Sequence, residues 1–368
     1  MRPAVRSGLV IFGVLIVAGI ILAATALVGR GEGGGSAHAV GCTGRAAVDF
    51  RCYERRYVSL VERRGPRAAL RALDAQQRRN GYVRAACHQL THRIGRAAGD
   101  LRGLAALDEG LSVCVSGYYH GVLQSVMGRQ GSRDAVADAQ ATCVGPRARQ
   151  PRSALHYNCV HGMGHGFMEV YAKDVLRSLR ACGVLEDRWE RDECAGGVFM
   201  ENVSAIDDGR RPSRDLRPER PLYPCTEVAR RLWEQCYDWQ VTYALYVTHS
   251  DFAKVFALCA SGPPASRGPC YRGLGGDALQ QSKFVTGASA RQATIRRLCA
   301  LGPEAGARAA CVTGAVRNMY RDYVDGDVQA RALCRSLEAA GDRELQAVCG
   351  AAEAWARRHV ALPEAGAA

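Results

Sequence analysis

The chain has 368 residues, 48% of them hydrophobic but only 7% aromatic, and a formal net charge of +13. That length fits one large domain, two ordinary ones, or a repeat array whose units pack only on their neighbours. Lys occurs only at Lys173, Lys254 and Lys283, and the Arg residues are spread over most predicted helices between Glu and Asp. Such a surface suits an anionic polymer or lipid head as a partner. It argues against nucleic acid, because no recognition motif accompanies the charge.

Gly8 to Val28 is an unbroken uncharged run, long enough to span a bilayer as a helix. Arg2 and Arg6 precede it, and Arg30 and Glu32 follow and cancel. The positive-inside rule therefore predicts residues 1–7 in the cytoplasm, 8–28 as a single-pass transmembrane anchor at the cell membrane, and the body outside. The alternative is a secreted chain freed by signal cleavage at Ala24-Thr25-Ala26 or Ala37-His38-Ala39. The run exceeds the roughly 7–15 residues of a signal core, which favours the anchor. Residues 29–41, centred on Gly33-Gly34-Gly35-Ser36, read as a flexible tether. Residues 42–361 read as one extracytoplasmic Cys-rich domain, and 362–368 as a disordered tail.

Sixteen cysteines fall into eight neighbour pairs: Cys42 with Cys52, Cys87 with Cys114, Cys143 with Cys159, Cys182 with Cys194, Cys225 with Cys236, Cys259 with Cys270, Cys299 with Cys311 and Cys334 with Cys349. An even count outside the cytoplasm predicts disulfides between neighbours, and no C-x-x-C marks a zinc ribbon or redox pair. From about Arg64 the apolar period is helical. Pro66 to Arg79 reads as a helix closed by Asn80-Gly81, Tyr82 to Ala98 as a second and Leu111 to Met127 as a third. A unit then recurs. Its first helix ends near a Cys (Cys182, Cys259, Cys299), a loop follows, and a second Cys opens the next helix (Cys194, Cys270, Cys311). Second cysteines from Cys114 to Cys349 are 34 to 45 residues apart, the period of helix-hairpin repeats. The predicted fold is all-α, a disulfide-stapled hairpin array of α-solenoid type with about seven units.

In five pairs Gly stands three residues after the second Cys, at Gly117, Gly162, Gly197, Gly273 and Gly314. Cys and Gly then share a helix face, the Cys stapling the hairpin and the Gly admitting a neighbouring helix. Each staple closes a short loop, worth about 3 kcal/mol for a loop of roughly 15 residues. The stretch Asp207 to Pro224 interrupts the rhythm with five Arg and four Pro, which is too rich in Pro for helix. It reads as a solvated loop.

Six of the nine His lie between His88 and His165. His88/His92 and His161/His165 are i, i+4 pairs, which can share one metal from one helix face. His120 stands six residues after Cys114, and His165 six after Cys159. If the repeats superpose, these two face each other on helices about 8–10 Å apart. The five side chains His88, His92, His120, His161 and His165 are thus expected to hold one transition metal, Zn, Cu or Fe, near the N-terminal repeats. Met200 and Glu201 hold the corresponding place in the next hairpin. Glu169, four residues after His165, and Glu201 are the candidate ligands or general bases. Met163 and Met168 point toward copper or are core filler. Tyr118, Tyr119 and Tyr157 either donate hydrogen bonds to the site or pack. Asn202-Val-Ser204 is a glycosylation sequon by pattern, and the glycines of Gly162 to Gly166 follow no strand, as a phosphate loop requires. No C-x-x-C-H, H-E-x-x-H or G-x-S-x-G is present. Enzyme and metal-handling protein both stay open, beside a rival reading as a scaffold for a cell-surface protein with structural histidines.

Overall fold

The computed structural model describes residues 41–360 except 112, 116, 131–132, 145–152, 205–212 and 324. The expected cytoplasmic segment, anchor, most of the tether and the tail lie outside the described residues. Among the described residues there is no strand, and no helix is long and apolar enough to cross a membrane.

Among the described residues sixteen α-helices follow one another. The first four are α1 Phe50–Arg64, α2 Pro66–Gln77, α3 Gly81–Ala85 and α4 Cys87–Arg102. Then come α5 Gly117–Gln130, α6 Arg133–Val144, α7 Ala154–Val170, α8 Val175–Ala181 and α9 Arg188–Ser204. The remainder are α10 Trp233–Val247, α11 Phe252–Ser261, α12 Pro264–Ser282, α13 Ala288–Cys299, α14 Ala305–Asp322, α15 Gly326–Ala339 and α16 Arg343–His359.

Local rules account for most boundaries. Asp174, Asp251 and Asp342 cap α8, α11 and α16, each side chain accepting an amide three residues on. Asn80 was expected to stop a helix. Instead its Oδ1 accepts from Val83 N at 3.0 Å and starts α3. The expected Tyr82–Ala98 helix is therefore split into α3 and α4, with the break at Ala86. Helix α1 precedes the predicted helical start. Its signals are the Asp49 cap and the buried Tyr53, Tyr57 and Val61 at four-residue spacing. The third helix begins at Gly117 rather than Leu111, because Cys114 and Val115 adopt left-handed φ values of 54° and 60°. The described part of the Pro-rich insertion, from Ser213 on, is turns, as expected.

All eight disulfides join the predicted neighbours, with Cα–Cα distances of 5.3 to 5.9 Å. No cysteine is free, which fits an oxidising, extracytoplasmic environment. Where the second cysteine sits on its helix varies along the chain. Cys52, bonded to Cys42, and Cys236, bonded to Cys225, stand in the first turn of α1 and α10. Cys114 precedes α5. Cys159, Cys194, Cys270, Cys311 and Cys349 lie about a turn and a half inside their helices rather than opening them. The expected placement of Cys194, Cys270 and Cys311 at the helix start therefore does not hold. In those three hairpins the helix begins in the loop before the staple, so the bridge grips its second turn.

The helices bearing or following second cysteines pack in a row, α5 on α4 and α7, then α9, α10, α12, α14 and α16 in order. Each of α6, α8, α11, α13 and α15 packs on the helix that follows it. The Cys–Gly motif works by close approach. A Cβ on Gly197 would stand 1.9 Å from the His161 carbonyl oxygen, and one on Gly314 1.9 Å from that of Arg272. Both glycines let neighbouring helices of the row touch backbone to backbone.

Candidate metal centre

The first members of this row bring the predicted histidines together. Helix α4 carries His88 and His92, α5 carries His120 and Gln124, and α7 carries His161 and His165. Helix α9 adds Met200 and Glu201. Ring centroids are 4.7 Å apart for His88/His92, 5.2 Å for His92/His120 and 4.8 Å for His120/His161. His120 and His165 stack at 4.6 Å. Two triads form in which every side chain offers a nitrogen within 4.8 Å of the others: His88, His92, His120 and His120, His161, His165. His120, His161 and His165 are buried, whereas His88 and His92 stand half-buried at the rim.

The hydrogen bonds around the rings decide which nitrogens face inward. His88 Nδ1 lies 3.0 Å from the Cys114 carbonyl oxygen, which can only accept, so Nδ1 carries the proton. Gln124 Nε2 donates to Glu201 Oε2, which turns Gln124 Oε1 toward His92 Nδ1 at 3.2 Å. The proton of His92 is therefore also on Nδ1. His165 Nδ1 donates to Glu201 Oε2 at 2.8 Å. His88 and His92 therefore present an unprotonated Nε2 to the interior. His88 Nε2 and His92 Nε2 then stand 3.1 Å apart, two lone pairs with no proton between them. His92 Nε2 is also 3.4 Å from His120 Nδ1. His120 Nε2 and His165 Nε2 are buried and have no hydrogen-bond partner.

Protonating a ring cannot relieve this contact cheaply. Burial pushes the His88 pKa down to about 4 against the opposing pull of the Cys114 carbonyl. Desolvation, reinforced by neighbouring imidazoles, holds His92, His120 and His161 well below the usual 6.5. His88, His92, His120 and His161 are therefore neutral nitrogen donors at neutral pH, the form that metals bind. The left-handed Cys114 and Val115, which cost about 1–3 kcal/mol each, accompany the carbonyl that orients His88.

The two candidate carboxylates are already engaged. Glu201 accepts from His165 and Gln124 and pairs with Lys173. Its burial favours protonation, but Lys173 and His165 outweigh this and hold its pKa far below the usual range. Glu169 pairs with Lys173 at 3.2 Å and with Arg96 at 2.9 Å. Met163 and Met168 are fully buried core, and it is Met200 whose Sδ lies 3.4 Å from His161 Nε2. Tyr118 bonds the Ala106 carbonyl and Tyr119 packs in the core, whereas Tyr157 lies on the His161 ring at 5.2 Å. Asn202 is fully buried in α9, so the sequon is closed to a glycosylating enzyme.

No known protein family, curated protein or solved structure matches the chain. What the site can do therefore rests on its own geometry. Gln124, Lys173 and Arg96 were not among the predicted site residues. A signal existed for Gln124, which follows His120 by four and so shares its face. The same spacing marks the other two, since Arg96 follows His92 by four on α4 and Lys173 follows Glu169 by four. Beyond Tyr157 lies a cavity of about 200 Å³ lined among others by Glu193, Asp238, Arg317, Arg321 and Trp355. Burial raises the Glu193 carboxyl there to about 7, against the pull of Arg321.

Proposed function

We propose that this chain is an extracytoplasmic, disulfide-stapled helical-repeat protein that binds a transition metal through His88, His92, His120, His161 and His165. The observation that carries the reading is the 3.1 Å contact of two proton-free nitrogens, His88 Nε2 and His92 Nε2. A cation between them turns repulsion into two bonds. Tetrahedral ligands at about 2.0–2.1 Å stand roughly 3.3 Å apart, close to the spacing found here. Glu201 on His165 and Gln124 on His92 act as the outer partners that fix tautomer and ring orientation around a metal.

Imidazole donors suit Zn, Cu and Fe, and the thioether of Met200 beside His161 favours copper among them. With Glu169 and Glu201 committed to cations, neither of the two candidate carboxylates is left to act as a base on a metal-bound water. This favours carriage, storage or one-electron chemistry over hydrolysis. Residues 8–28 would hold the domain at the outer face of the membrane.

The test is elemental analysis of the full chain purified from an oxidising compartment, beside His92→Ala and His161→Ala. Stoichiometric copper, zinc or iron in the parent and a lower content in both variants is the expected result. A parent that takes up none of these metals would leave the histidines structural and the fold a scaffold.

A further inference from the structure

We infer that the histidine cluster holds two metal ions rather than one, with the His120 ring as the bridge between them. The inference rests on the metal reading above and adds the number of ions and the ligand they share.

The two triads meet only in His120, and an imidazole has a nitrogen on each side of its ring. Nδ1 of His120 belongs to the first triad, 3.4 Å from His92 Nε2, which is itself 3.1 Å from His88 Nε2. Both separations match the edge of a tetrahedron built on bonds of about 2.0–2.1 Å. Nε2 of His120 is left over on the far side of the ring, buried and without a partner. His165 Nε2 is likewise buried and unpartnered, its proton held on Nδ1 by Glu201 at 2.8 Å. His161 completes this second triad, with Met200 Sδ at 3.4 Å as a soft neighbour.

One ion cannot satisfy both groups. An ion in the first triad reaches His88, His92 and His120 Nδ1 but leaves the orphaned nitrogens of His120 and His165 as they were. An ion in the second leaves the His88–His92 contact unrelieved. Two ions satisfy all of them. Neutral His120 carries one N–H. The first ion binds the free ring nitrogen, the second displaces that proton to solvent, and the ring becomes an imidazolate bonded to both ions. Two bonds of about 2 Å and the width of the ring put the ions on the order of 6 Å apart. The carboxylate of Glu201, hydrogen-bonded to His165, offsets part of the added charge.

The full chain is titrated with Cu(II), excess ion is removed, and copper per chain is compared with the intensity of the copper spin signal. Two ions per chain are expected. Exchange through the shared ring should leave that signal at less than half of what two isolated Cu(II) ions give. His88→Ala and His165→Ala should each retain one ion with a full, uncoupled signal, and His120→Gln should remove the coupling. Circular dichroism matching the parent confirms that a variant is folded. One ion per chain in the parent, or two ions with full signal, overturns the bridge and leaves the metal reading standing. No copper at all in the parent, with none of zinc or iron in its place, overturns both.

Discussion

Two polar clusters occupy successive stretches of the same helix row, and only one of them calls for a ligand. On α4, α5 and α7 the row presents five imidazoles, of which His88 and His92 set Nε2 atoms 3.1 Å apart and His120, His161 and His165 each leave a buried ring nitrogen without a hydrogen-bond partner. On α10 and α14 it presents Asp238, Asn318, Arg321 and Asp322. Here Arg321 pairs with Asp238 and with Asp322 at 2.9 Å, and Asn318 donates to Asp238 at 3.2 Å. The register differs. Six residues after the second Cys stand His120 and His165 in the first stretch, whereas in the second that place holds Thr242 and Arg317, outside the ionic cluster. The difference lies in complementarity. The ionic cluster matches donors to acceptors within the protein, so its charges are compensated. The imidazole cluster is short of positive charge, and burial prevents protons from supplying it.

This comparison can be broken from either side. The largest effect is expected at the histidines. His92→Ala or His161→Ala should each remove one of the two ions while the circular dichroism spectrum stays that of the parent. His249→Ala and His359→Ala, which lie outside the cluster, should leave metal content unchanged in the same elemental assay. Asp238→Ala should do the reverse. It strips one of two carboxylate partners from the part-buried Arg321, which keeps Asp322, and should lower the denaturant midpoint without touching metal content. A smaller effect is expected for Glu201→Gln, which keeps a hydrogen-bond acceptor for His165 but loses the charge facing Lys173. Removing such an outer partner costs about 10–100-fold in metal affinity, measurable by competition with a chelator.

The smallest effects are in pH. An exposed imidazole is mostly protonated at pH 5.5, but burial pushes His88 down to about 4 and lowers His92 and His120 as well. Proton competition should therefore release metal only as pH falls toward 4, below the value of about 6.5 that unperturbed histidines imply. Metal retention after dialysis at stepped pH checks this, and half-loss near 6.5 would contradict the desolvation argument. Glu193 should behave in the opposite sense. Its folded pKa of about 7 lies above the usual 4.5, so the folded state keeps a proton that the unfolded state gives up. Its contribution to stability is present below pH 4.5 and is lost as pH rises through 7. Glu193→Gln should raise the melting temperature relative to the parent at pH 8 and leave it unchanged at pH 4.

Much of the site was legible because its parts are local. Two i, i+4 histidine pairs and one register match between Cys114/His120 and Cys159/His165 were enough to bring five side chains together. What orients them was not legible. Gln124, Lys173 and the Cys114 carbonyl act across separations of 26 to 77 residues. Adjacency left Met163 and Met168 as either sulfur donors or core filler; both are buried in the core, and Met200 comes in from the next hairpin. The start of α5 was missed because left-handed residues at Cys114 and Val115 have no signature in a non-Gly sequence.

The sequence by itself determined the helices, the staples and the candidate ligands. Helical period, capping residues and loop closure act over one or two turns, and each cysteine lies close along the chain to its partner. Only the tertiary structure decided which ring nitrogens face one another, which carboxylates are spent on Lys173 and Arg96, and which of two polar clusters lacks a cation. Those outcomes depend on tautomer, on desolvation and on angström-scale separations between different helices, and no local pattern carries that information.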